Sequence, residues 1–153
     1  MFRSEPAKKI RLIVRGALAA GALVAIASPA AALDWGLARA SFEAALAGPR
    51  SAETAADKAL CAAAWDRWTN SVRRGAYRSE IVRALPNELR SEQMPFTLQK
   101  WYFEADESAI DAARASVREL HSRAEYSDNA ATQRFFSLLG QCWRERGIRS
   151  QGS

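Results

Sequence analysis

Histidine occurs once in the 153 residues, methionine twice and cysteine twice, so the side chains that hold soft metals or haem are nearly missing. Covalent haem attachment needs Cys-x-x-Cys-His, whereas Cys61 is followed by Ala62, Ala63 and Ala64 and its only companion is the distant Cys142. A noncovalent haem would have to use His121 and Met94, the latter in a loop. Triad chemistry would rest on His121 alone, which the sequence places as a surface or boundary residue with poor neighbours. No cofactor, resident metal or catalytic residue is therefore expected, and function points away from an enzyme. Strand formers are just as scarce, since Val72, Ile81, Val82, Ile110, Val117 and Ile148 are the only valines and isoleucines after residue 32.

Charge of one sign is concentrated where it bears least on a folded surface. Arg3, Lys8, Lys9, Arg11 and Arg15 stand against Glu5 in the first 32 residues. They precede the apolar run Gly16 to Ile26, and Ala30 and Ala32 then occupy the small-residue positions of a cleavage site. Residues 1–32 read as a Sec-type signal peptide cut after Ala32, with an uncleaved N-terminal anchor as the alternative because Gly16 to Leu33 is uncharged. Seventeen of the 22 bases and sixteen of the 17 acids follow residue 32, which leaves +1 of the overall +5. Nucleic acid is thus not expected as a partner. Membrane contact is expected only through the leader, transiently or as an anchor. The excess of arginine over lysine, with many alanines, suits a high-GC bacterium, so the destination reads as periplasmic or secreted.

In an oxidising compartment Cys61 and Cys142 can form only one intramolecular bond. Closing so long a loop restricts the unfolded chain by about 4 kcal/mol. Both cysteines fall on apolar helical stripes. Cys61, Ala64, Trp65, Trp68 and Val72 share one face of a helix spanning about 52–74, with Ser51 as its cap and Gly75 as its stop. Ala131, Phe135, Leu138, Leu139 and Cys142 share a face of the last helix, capped by Ser127 or Asp128 and ending at Gly147. An earlier helix covers about 34–47 before Gly48-Pro49. A basic connector over 75–95 holds a short helix near 79–85 and faces either an acidic helix or an external anion.

The third long helix is expected to run unbroken from about Thr97 to Leu120. Its stripe of Leu98, Trp101, Tyr102, Ala105, Ala109, Ala112, Ser116 and Leu120 keeps phase through Asp106-Glu107-Ser108. Its acids Glu104, Glu107 and Asp111 share a face where a hard cation could sit, but Lys100, Arg114 and Arg118 are near enough to neutralise them. A second apolar row, Phe103, Ile110 and Val117, recurs every seven residues on the same helix. Such a row serves either a helix packed on two sides or a surface for a protein partner, a second copy of the chain or an apolar ligand.

The expectation is an all-α protein, a compact bundle of about four helices forming one domain over 33–153 and tied by Cys61–Cys142. Its expected role is that of a small exported, non-enzymatic binding protein. The competing class is a cell-envelope enzyme such as a carboxylate-dependent hydrolase, for which no convergent acid–base set is visible.

Overall fold

The computed structural model describes residues 33–48, 52 and 54–144, and within that range it is all helical. The signal-peptide reading of residues 1–32, the Ser51 cap and the helix end at Gly147 lie outside the described residues. Helix α1, Trp35–Ala47, starts where the Asp34 side chain accepts the Leu37 N–H at 3.0 Å, and it ends at Gly48. Helix α2, Ala55–Arg73, begins later than the apolar pattern suggests. Thr54 and Asp57 form a reciprocal capping box, and satisfying two N-terminal N–H groups there outweighs extending the helix back to Ala52. Gly75 closes α2 in the left-handed region at φ 67°.

The connector holds α3, Ser79–Ala84, and a single 3₁₀ turn, Asn87–Arg90. Two helices come next in the chain: α4, Phe96–Glu104, and α5, Glu107–Glu125. Ala105 and Asp106 are extended (ψ 143° and 139°), and the Asp106 carboxylate accepts the Ser108 N–H at 2.9 Å. An aspartate able to cap a new helix ends the old one here, which corrects the expectation of an unbroken rod. Apolar phase alone could not register this, because a cap acts within three residues.

The break also resets the buried face. After it Ile110, Ala113, Val117, His121 and Ala124 point inward, while Ala112 and Ser116 are exposed. Helix α6, Asn129–Arg144, is capped by Asp128, whose carboxylate accepts the Ala131 N–H at 2.9 Å.

Helices α2 and α6 form the inner pair, with α1 against α6, α5 against both, and α4 against α2. Cys61 and Cys142 join the inner pair as a disulfide with Cα atoms 5.3 Å apart. The bond is compatible with an oxidising, exported location. Trp65 and Trp68 are fully buried on α2, and each indole N–H finds a carbonyl: Leu139 on α6 at 3.1 Å and Leu89 in the 3₁₀ turn at 2.9 Å. Trp68 therefore anchors the connector to the core. Where α1 crosses α6, a Cβ on Gly140 would lie 2.5 Å from the Phe42 carbonyl oxygen, so only glycine allows that approach. Among the described residues no helix is long and apolar enough to cross a membrane.

Candidate functional site

The cysteine pair is where the sequence placed it; the expected partner surface is not. Ile110 and Val117 are 6% and 1% exposed and belong to the core, whereas Phe103, on the other side of the α4–α5 break, is 82% exposed. Sevenfold spacing implies one face only on a continuous helix, and this helix is interrupted between Phe103 and Ile110. The acids divide in the same way. Glu104 on α4 pairs with Lys100 at 3.6 Å and Asp111 on α5 with Arg114 at 3.0 Å. Among the described residues no three His, Cys, Asp or Glu side chains are grouped to hold a metal ion.

His121 is not a surface residue but fully buried on α5, within 4.7 Å of the Phe135 ring centre. Arg67 Nε on α2 donates to its Nδ1 at 3.1 Å, and guanidinium has no acceptor, so Nδ1 carries the lone pair. The neutral ring then has its hydrogen on Nε2, which donates to the Tyr77 hydroxyl oxygen at 2.7 Å. Tyr77 in turn donates to Glu125 Oε1 at 3.1 Å. The result is a one-way series of donors from Arg67 through His121 and Tyr77 to Glu125.

Burial, reinforced by the Arg67 charge, lowers the His121 pKa to about 4, so the ring is neutral at pH 7. Burial, followed by the Glu125 charge, raises that of Tyr77 well above the usual phenol range. The series encloses the imidazole and reaches the surface through Glu125, which with Tyr77 borders a hollow beside Trp35 and Ile81. It locks the segment just after α2 and the middle of α2 to the end of α5. Sequence separations of 54 and 44 residues hid these partners, although a lone histidine one turn beyond a buried valine was a usable signal.

Arg67 has a second side. It lines a hollow of about 260 Å³ between α2 and α5 together with Arg74, Arg114 and Arg118. Arg67 and Arg74 are seven residues apart on one helix and Arg114 and Arg118 four apart on the other, spacings that put each pair on one face. Arg114 is partly committed, bonding Asp111 and the Tyr102 hydroxyl and lying over the Tyr102 ring at 4.9 Å. Among the described residues the Arg74 and Arg118 guanidinium groups form no ion pair. The acid at the edge, Asp66, accepts from the Asn70 side-chain amide at 2.9 Å.

Asp66, Asn70 and Tyr102 also border a neighbouring hollow of about 260 Å³ that continues to Met94, Gln99 and the exposed Phe103. The two adjoin across Asp66, Asn70 and Tyr102 in a groove that is basic on the α5 side and of mixed polarity on the α4 side, where Arg73 and Glu92 stand with Met94 and Phe103. The connector's own arginines do not contribute to the basic end. Arg78 and Arg83 lie within 4.0 Å of Glu80, and Arg90 donates to the Leu85 carbonyl at 2.7 Å. No protein-family model, curated protein or solved structure matches this chain.

Proposed function

We propose that this is a small exported, periplasmic, non-enzymatic protein that binds a protein partner or an apolar ligand along the groove beside α2. The observation that carries the reading is adjacency. Two hollows share Asp66, Asn70 and Tyr102, with the phenyl ring of Phe103 bare at one side and, among the described residues, Arg74 and Arg118 without an ion pair at the other. A large aromatic side chain left in water gains free energy when covered, about 25 cal/mol per Å² of apolar surface. Export is supported by the leader-like residues 1–32 and by a disulfide, which a reducing compartment would not maintain.

The test is native mass spectrometry of the protein isolated from its producing cells without reductant. The expected species starts at Leu33, lacks two hydrogens and carries an added partner or ligand mass that Phe103→Ser abolishes. An uncleaved, reduced chain would remove the export argument. A partner mass untouched by Phe103→Ser and by Arg118→Gln would move binding away from this groove.

A further inference from the structure

The charge at the α5 end of the groove names a ligand chemistry, an inference that rests on the groove being the binding surface. Arg67 and Arg74 on one wall face Arg114 and Arg118 on the other, and the acid bordering them is Asp66. Like charges gathered around one hollow repel, and water and salt relieve that repulsion less well than a bound anion does. Arg114 already shares its charge with Asp111, which leaves Arg67, Arg74 and Arg118 as the less committed groups.

Each guanidinium is a planar fork of donors matched to paired oxygens. A carboxylate, with one charge and two oxygens, fully engages one such fork. A phosphate monoester carries a charge of roughly −1.5 to −2 at neutral pH and three terminal oxygens. It therefore answers three guanidinium groups at once. Arg67 is the least adjustable of the three, because its Nε is held on His121 Nδ1 and its position is set before any ligand arrives. Such preorganisation lowers the entropy lost on binding. The adjoining hollow, lined also by Arg73 and Glu92, offers the Met94, Tyr102 and Phe103 side chains as apolar surface for an organic group on the same molecule.

We infer that the Arg67, Arg74, Arg114 and Arg118 cleft is a binding site for a phosphate monoester whose organic part is apolar. The source can be a soluble monoester or the exposed headgroup of a phosphatidic-acid-type lipid, and the chemistry recognised is the same.

The experiment is calorimetric titration of the disulfide-bonded protein with phenyl phosphate, inorganic phosphate and benzoate. Phenyl phosphate is expected to bind tighter than inorganic phosphate and at least about tenfold tighter than benzoate. The double variant Arg74→Gln, Arg118→Gln should weaken phenyl phosphate roughly 100-fold. Arg78→Gln, Arg83→Gln removes equal charge outside the cleft and should leave binding unchanged. Both double variants are checked for an unaltered melting temperature, so that a binding loss is not unfolding.

Flotation with vesicles containing phosphatidic acid separates the sources. Capture that phenyl phosphate competes away indicates the lipid headgroup, and soluble binding without capture indicates a soluble monoester; either supports the site. Benzoate binding as tightly as phenyl phosphate, equal losses from the two double variants, vesicle capture that phenyl phosphate does not compete, or no binding of any phosphate at millimolar concentration overturns it. These results are independent of the native mass measurement. A partner still lost on Phe103→Ser while phosphate fails would keep the groove and discard the anion.

Discussion

The half of the molecule built from α1, α2 and α6 and the half built from α4 and the outer face of α5 use the same alphabet differently. In the first half the aromatic side chains are enclosed. Phe42, Trp65, Trp68, Phe135 and Phe136 are fully buried, the backbones touch at Gly140, and a covalent bond joins the inner helices. In the second half Phe96 and Phe103 are 80% and 82% exposed, and arginines stand beside a hollow without full counter-charge. The lesson is a division of labour. One side has the packing that holds the chain together, and the other leaves aromatic and arginine side chains open to solvent. The His121 network lies where they meet, with Arg67 belonging to both.

Substitutions can break that comparison, and the largest effect is expected on the packed side. Replacing Cys61 and Cys142 together with serine opens a loop of sequence separation 81 and should lower unfolding free energy by about 4 kcal/mol in urea titration. A loss under about 1 kcal/mol would mean that aromatic packing alone suffices and the covalent tie is secondary.

Acid should act at the junction. Unfolded His121 titrates near 6.5 and the folded residue near 4, so the unfolded chain binds the extra proton between those values. Stability contributed by the neutral ring is therefore complete above pH 6.5 and is lost as pH falls towards 4, by about 3 kcal/mol in all. Urea titrations across that range should show the slope in the native protein and not in His121→Gln. A matching slope in both would place the acid sensitivity in another group.

Gly140→Ala should cost about 2 kcal/mol, since the added methyl meets the α1 backbone and not a side chain that can turn away. A thermal melt within a degree of the native protein would show that α1 is free to shift. The smallest stability effect is expected on the open side. Phe103→Ser should stay within about 0.5 kcal/mol, because the ring already lies in solvent. If Phe103→Ser destabilises the protein as much as Gly140→Ala does, the two halves are not different in kind.

Much of the packed half was legible from spacing. The stripe through Cys61, Ala64, Trp65, Trp68 and Val72 is buried, as is that through Ala131, Phe135, Leu139 and Cys142 with Leu138 half-buried beside it, and Gly75 ends α2 in the conformation glycine permits. The open half was less legible. The row Phe103, Ile110, Val117 assumed a continuous helix, and a three-residue capping event at Asp106 divided it. The arginines of the cleft were visible individually, but Arg114 and Arg118 read as neutralisers of nearby acids. Asp111 does take Arg114, while the exposed Glu104 is occupied by Lys100 and Arg118 is left facing the hollow.

By itself the sequence determined the helical class, the pairing of the two cysteines and the inward faces of α2 and α6. Those depend on composition, on elimination and on a periodicity of 3.6 residues, all of which act within or along single segments. Only the tertiary structure decided that His121 is enclosed and neutral, that Arg67 reaches it from 54 residues away, and that two arginine-bearing faces look at each other. A side chain's partner across the core depends on how helices rotate and cross when their apolar faces are covered. That choice is made by packing the whole chain at once, not by any one segment.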